Sequence, residues 1–429
     1  MLADKVSGTH AGLWLLIPEH LRLGTWDLLR GWTGKSAERV EPRLALQLVG
    51  ESALCVAGLR RRRCLTQKGF ELANGLPFVA SDQAIHTLLA AHTIEQAQAL
   101  QVALGQLRRA GGHFAGQLLA VDPHRMRSYS KRQMPRRKDK DEGQALKMAQ
   151  TFFCLDADTG QPLAFTIGSA ARTATQATPG LLEMVRQILQ PDPERKPLVL
   201  VDCEHFCAEL VDQIAAGGVF DLLGPIPRRQ ESGRQLAQLD PSLFTRRWAG
   251  FATATQPYRM RQGQRDYHQI IQRTGERADE YQYKAFLATR PGGQTEALTQ
   301  DYPKRWHIEE FYNTDQPHGW DRAGTQNLNI RYGHMTMALI AQTAIHQFRE
   351  RLGDPWRTCD AKHMAHDLFE GLEGDVRVHD DTIFVTYYNA PNPERLRQHY
   401  EGLPAKLARD HIDPHVPWLY NFKLDFCFR

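Results

Sequence analysis

Two short apolar runs in this chain each end on an aspartate: GQLLAVD at 116–122 and KPLVLVD at 196–202. A continuous apolar run of strand length has no polar face, so the second run predicts a strand buried on both sides inside a sheet. Neighbouring parallel-type strands that both end on an acid project two carboxylates, Asp122 and Asp202, into one crevice at the sheet edge, where α/β folds place their chemistry.

The order of elements around these runs narrows the fold. The character changes after Gly111-Gly112, and the first run is followed by a basic segment, HRMRSYSKRQMPRRKDK at 124–140. TFFCLDADTGQPLAFTIGS at 151–169 then predicts two strands joined by a hairpin at Asp158-Thr159-Gly160. A helix is expected after Pro179 (GLLEMVRQIL), then the buried strand, a helix in CEHFCAELVDQIAA, and a strand in VFDLLGPI at 219–226. Three leading strands, a helix, a buried strand, a helix and a strand follow the order of an RNase H-like sheet, so the expected class is α/β with an RNase H-like catalytic domain. The stretch 227–300 is rich in Arg and Gln, carries RRWAGF and YRMRQGQRDYHQIIQ, and alternates like antiparallel strands; it reads as a β-rich insertion.

From Thr25 to about Leu107 the spacing is helical, in TWDLLRGW, LALQLVGESALCVAGLRRR and SDQAIHTLLAAHTIEQAQALQVALGQLRRA, the last beginning with Ser81 as an N-cap. The expected division is therefore an all-helical N-terminal domain over 1–110, a catalytic domain over 111–353 that contains the insertion 227–300, and a small α+β region over 354–429. In the catalytic domain IRYGHMTMALIAQTAIHQFRERLG (330–353) is a long core helix; in the last region DVRVHDDTIFVTYYN is a hairpin and LRQHYEGLPAKLA a helix. A hydrophobic content of 42% in 429 residues supports one large core or two to three ordinary ones.

The net charge of +4 is modest, but the basic residues are clustered: Arg60, Arg61, Arg62 and Arg63 are consecutive, and Arg136, Arg137 and Lys138 fall in the segment 124–140. Such clusters point toward a polyanion more directly than net charge does, with a solvated loop as the other reading. The helical domain with its arginine run is open to two readings, a DNA reader of the helix-turn-helix kind or a packing role. Seven cysteines, odd in number and scattered, give no disulfide framework and suit a reducing compartment. The apolar run GLWLLIP is too short and wrongly flanked for a signal peptide, and no stretch approaches membrane-spanning length, so a soluble cytoplasmic protein is expected.

A third acid stands in DYPKRWHIEEFYNTDQ at 301–316. At about 100° per residue, Tyr302, Arg305 and Glu309 fall within roughly 60° of one another on a helix, whereas Glu310 lies about 100° from Glu309. Arg305 and Glu309 at i,i+4 also satisfy a plain surface ion pair. Asp122, Asp202 and Glu309 come from separate elements and supply the hard oxygen donors that two Mg²⁺ ions need in polynucleotidyl transfer, with Mn²⁺ as a substitute. Asp156 and Asp158 sit at the hairpin and are expected to serve the turn. Cys203 and Cys207, which flank His205 in DCEHFC, are spaced to share a zinc but lack a second ligand pair, so buried helix cysteines are expected. Trp248 either stacks on an extruded base or fills the insertion's own core, and His124 falls close to Asp122.

Tyr302-x2-Arg305-x3-Glu309 resembles the Y-R-E-K signature of bacterial insertion-sequence transposases of the DDE type, the hairpin-forming group with a β-rich insertion before its glutamate. Asp122 in LLAVD and Asp202 in LVLVD match the first and second aspartates, and the separations of 80 residues from 122 to 202 and 107 from 202 to 309 leave room for the insertion. The resemblance covers roughly 25–353. One departure is that Gln316, followed by Pro317, stands where the signature has lysine.

The resemblance implies that Tyr302 and Arg305 hold DNA phosphates near the scissile bond, that Gln316 offers only a neutral hydrogen bond there, and that the helical region reads the element's ends. It implies double-stranded DNA as the partner, both terminal inverted repeats and target, a homodimer on DNA, and two-metal cleavage and strand transfer by a cut-and-paste route in a bacterial nucleoid. A domesticated or inactive relative acting as a DNA-binding repressor, and a nuclease on the same fold that never joins ends, remain as alternatives.

Overall fold

The computed structural model describes residues 6–8, 10–34, 39–56, 68–129, 133–138, 143–228, 230–321, 325 and 327–429. The run Arg60–Arg63 lies outside them, as do parts of 124–140. The chain divides into two compact units, one made of Met1–Leu107 with Asn313–Arg429 and the other of Arg108–Tyr312. The long helix expected to close the catalytic domain, observed as Leu328–Leu352 with Asn327 as its cap, thus belongs to the unit built from the first and last segments.

In the unit Arg108–Tyr312 the strands are β1 (Leu118–Arg127), β2 (Arg136–Lys138), β3 (Ala145–Asp156), β4 (Gln161–Ser169), β5 (Leu198–Leu200), β6 (Asp221–Pro225), β7 (Thr245–Trp248), β8 (Phe251–Arg259), β9 (Asp266–Thr274) and β10 (Gln282–Ala288). Among the described residues they form one mixed sheet in the order β3-β1-β5-β6-β10-β9-β8-β7, with β2 and β4 both paired to the outer side of β3. β5 is parallel to β1 and to β6, and its three residues are buried, as an apolar run without alternation requires.

The expectation that Asp122 ends its strand is corrected. The parallel ladder of β1 with β5 stops at Ala120↔Leu200, but β1 runs on as the antiparallel partner of β3 as far as Arg127↔Met148. Asp122 and Asp202 nevertheless stand at equivalent points, each two residues beyond that last parallel pair, where β5 leaves the sheet. The separation of the two chains there opens the crevice.

The hairpin between β3 and β4 forms where expected, with Gly160 at a φ of +69°, a region that favours glycine. Asp156 is fully buried and serves the turn: Oδ1 accepts from the amides of Asp158 and Thr159, and Oδ2 from that of Gly116. Helix α1 (Ala174–Leu189) starts before Pro179, because Thr173 and Gln176 form a capping box that fixes its first turn. Helix α2 (Ala208–Gly217) follows β5. The insertion is an antiparallel meander as its alternation predicts, but it continues the sheet, with β10 paired to β6. Its own core is Leu236, Phe244, Ala252, Ala254, Ile271 and Ala285.

In the other unit the N-terminal segment is helical, with helices Thr25–Thr33, Glu41–Ala53, Lys68–Ala73 and Asp82–Ala90. Ser81 caps the last of these. The helical stretch that begins at Ser81 is two helices, because Thr93 and Gln96 exchange backbone-to-side-chain hydrogen bonds that start a new helix, Ile94–Ala110, after Ala90. The C-terminal hairpin, Gly374–His379 with Thr382–Tyr387, lies between Val6–Gly8 and Phe422–Phe428 in a second sheet. LRQHYEGLPAKLA is two helices, Pro393–Tyr400 and Leu403–Arg409, broken at Gly402 with a φ of +68°. No helix among the described residues is long and apolar enough to cross a membrane.

Candidate active site

The third acid arrives on a helical run that changes pitch. A π turn, Ala297–Asp301, leads into a 3₁₀ turn, Tyr302–Trp306, and then helix α3 (His307–Asp315). Arg305 projects its guanidinium between two carboxylates: Nη1 lies 3.5 Å from Asp122 Oδ1 and Nη2 lies 3.2 Å from Glu309 Oε1. The expected i,i+4 pair therefore exists, but the arginine is shared with an acid on β1. Glu310 is exposed.

Side-chain hydrogen bonds fix the backbone on both sides of the crevice. The Tyr302 hydroxyl donates to the Val201 carbonyl at 3.3 Å, and the Tyr312 hydroxyl donates to the Asp122 carbonyl at 2.9 Å. Tyr312 also stacks on His124 with ring centroids 4.2 Å apart. Asp202 is the cap of a 3₁₀ turn, Cys203–His205; its Oδ1 accepts from the Glu204 amide at 2.9 Å and lies 3.0 Å from Nδ1 of the buried His205.

These surroundings drive the two aspartates apart in acidity. Burial, then the charges of Asp202 and Glu309, push the Asp122 carboxyl up to about 7 against the opposing pull of Arg305 and Arg125. Burial also acts upward on Asp202, but the His205 hydrogen bond and charge, the Glu204 amide and Arg305 outweigh it and hold that carboxyl below its ordinary range. Burial acts to lower Arg305, and Asp122, Tyr302, Glu309 and Asp202 overcome it to keep the guanidinium above its usual range.

Residues 113–344, more than half of the chain and including all three acids, match the family model of the transposase DDE domain. The chain belongs to the DDE transposase family. Among solved structures this DDE transposase is similar to a piggyBac transposase synaptic complex with hairpin DNA, at a TM-score of 0.46 and 9% identity over 86% of this chain and 82% of that one. No curated protein matches it.

The donor chemistry of this DDE transposase suits a hard divalent cation, because three carboxylates lie around one guanidinium, and the charges of Asp202 and Glu309 add to burial in raising Asp122. Among the described residues no three His, Cys, Asp or Glu side chains are drawn together closely enough to hold an ion as they stand. Arg305 takes the place between Asp122 and Glu309.

The remaining candidates are dispersed. Arg136 and Lys138 are exposed on β2, and Arg137 between them turns inward to Glu204. Trp248 is 49% exposed and stacks flat on Phe251, at 4.2 Å and 5°, so it is not part of the insertion's core. Gln316 opens a 3₁₀ turn, Gln316–His318, directly after α3, and its carbonyl accepts the amides of Gly319 and Trp320. Cys203 is exposed and Cys207 half-buried, which corrects the expectation of buried helix cysteines: the first lies in the 3₁₀ turn and the second is the N-cap of α2. Sequence reasoning passed over Tyr312, Arg125 and Glu204. The signal for Glu204 was an aspartate two residues ahead at a strand end, the spacing of a side-chain-capped turn.

Proposed function

We propose that this chain is a transposase of the bacterial insertion-sequence, hairpin-forming group, which binds the terminal inverted repeats of its element, cleaves DNA and joins the freed 3′ end to a target. The observation that carries this reading is that the Arg305 guanidinium pairs with both Asp122 and Glu309, at 3.5 and 3.2 Å, while Asp202 stands at the point on β5's side equivalent to Asp122, each two residues beyond the last parallel pair. The strand order β4-β3-β1-β5-β6, with β5 parallel to both neighbours, supports an RNase H-like core around them.

Asp122, Asp202 and Glu309 would hold two Mg²⁺ ions, or Mn²⁺. Bound there, the ions supply Lewis-acid activation of the attacking oxygen and stabilisation of the leaving one. Asp122 gives up the proton that its surroundings favour. His205, with its proton on Nδ1, orients the Asp202 carboxylate, as outer partners of metal ligands do. Tyr302 and Tyr312 hold the backbone at Val201 and Asp122. Arg305, released from the carboxylates, is placed to hold a DNA phosphate. Trp248 offers an exposed ring to an unstacked base. Arg60–Arg63 and the helices of 1–110 read the repeats, and two copies pair the two ends.

The test is end cleavage and strand transfer on duplex DNA taken from the flanks of the reading frame. Wild type forms joined products in Mg²⁺ and Asp202→Asn forms none. Cutting without joining makes the protein a nuclease, and binding without cutting makes it a repressor.

A further inference from the structure

Beside the carboxylates lies a cluster of two arginines, a glutamate and a glutamine. Arg125 on β1 and Gln150 on β3 are directly opposed across the strands, and Arg125 Nε donates to Gln150 Oε1 at 3.1 Å. Arg137 on β2 donates to the same oxygen through Nη1 at 3.3 Å and to Glu204 Oε2 through Nη2 at 3.4 Å. Arg125 Nη2 also pairs with Glu204 Oε2. Gln150 is fully buried, and its Nε2 donates to the carbonyls of Ser169 and Arg172 at 2.9 and 3.0 Å, so its oxygen can face only the two arginines.

The two guanidiniums are therefore fixed by a carboxylate and an amide oxygen, which leaves the cluster one positive charge in excess. Their side chains remain 20% and 35% exposed, open to a ligand from solvent. The brace is attached to the catalytic turn, since the Glu204 amide donates to Asp202. Planar guanidiniums held in place are matched to the oxygens of a phosphodiester, and pre-ordering them removes much of the entropy cost of binding.

We propose that Arg125 and Arg137 form a clamp for one or two backbone phosphates of the DNA strand next to the scissile bond, with Glu204 and Gln150 as its positioning residues. This rests on the reading of Asp122, Asp202 and Glu309 as the cleavage site. The clamp sets how far the strand can slide past the carboxylates, whatever its base sequence.

The experiment replaces single phosphodiesters by neutral methylphosphonates, one position at a time, in the flanking-DNA duplex, and measures affinity in EDTA so that nothing is cut. Wild type should lose about tenfold in affinity at one or two adjacent linkages near the cut, the worth of a charged hydrogen-bonded contact. Arg137→Gln and Arg125→Gln should bind the native duplex about tenfold more weakly and lose nothing further at those same linkages, because the contact is already absent. Arg137→Lys and Arg125→Lys, which keep the charge but not the fork, should fall between and provide the comparison if the glutamine variants do not fold. Equal sensitivity of wild type and variants at every linkage overturns the clamp and leaves a brace between strands. Cleavage by wild type but not by Asp202→Asn in Mg²⁺ is scored separately, so failure of the cleavage reading and failure of the clamp are distinguishable.

Discussion

The Arg305 guanidinium stands 3.5 Å from the Asp122 carboxylate, and the two side chains are only 12% and 16% exposed. An ion pair so shielded costs more to break than a surface one, because the remaining charge is left without a partner. Arg305→Met, which keeps the bulk, should destabilise the metal-free protein by about 1–3 kcal/mol at pH 8 and by less at pH 5, where Asp122 is protonated. Melting curves at the two pH values check this. The same variant should bind Mn²⁺ more tightly than wild type without DNA, since no guanidinium competes for the carboxylates; titration calorimetry giving equal affinities would count against that competition.

The raised pKa of Asp122 has a definite sign in stability. The folded state holds this proton up to about 7 and the unfolded chain only to about 3.8, so between those values the folded state binds more protons and stability falls as pH rises. Asp202, held below its ordinary range, acts oppositely and loses its contribution as the pH is taken down through its folded value. Asp122→Asn should flatten the decline between pH 4 and 7 in metal-free urea titrations. Mn²⁺ affinity of the wild type should rise with pH through about 7 and then level off.

His205 is buried, with Nδ1 3.0 Å from Asp202 Oδ1. His205→Ala should weaken Mn²⁺ binding by about 10-fold or more while His205→Asn recovers part of it, in line with the loss of an outer-shell partner. Equal Mn²⁺ affinities of His205→Ala and wild type in the same titration would mean that the imidazole only packs.

Trp248 offers one face to Phe251 and the rest to solvent. Trp248→Ala should cost about 0.5–1.5 kcal/mol of stability, the worth of a stacked aromatic pair, yet reduce end processing much more than that. A duplex carrying 2-aminopurine beside the cut should brighten with wild type and stay dim with the variant. Brightening in both would separate Trp248 from the extruded base.

Local pairings were more legible than the long-range architecture. The apolar runs ending in Asp122 and Asp202, the turn at Asp158-Thr159-Gly160 and the i,i+4 pair of Arg305 and Glu309 are local signals, and a local signal survives without knowledge of the partner. The continuation of β1 to Arg127 depends on β3, which supplies a longer ladder than β5 does. The bond between Arg125 and Glu204 joins residues 79 apart, and the pairing of Val6 with Val376 is more distant still. Long-range partners of this kind leave no periodicity in the chain. Where a local rule did apply and was missed, as at Thr93-x2-Gln96, a second capping box lay inside a stretch whose apolar spacing ran through it.

Strand cleavage by Glu309→Gln and Glu310→Gln side by side, in Mg²⁺ and in Mn²⁺, with duplex binding measured on the same proteins, decides whether Asp122, Asp202 and Glu309 form one cation-dependent cleavage site. Glu309→Gln should lose cleavage with both cations and keep its binding, as Asp122→Asn and Asp202→Asn should, while Glu310→Gln should cut like wild type. Equal loss at 309 and 310, or undiminished cleavage by Glu309→Gln, would contradict that assignment.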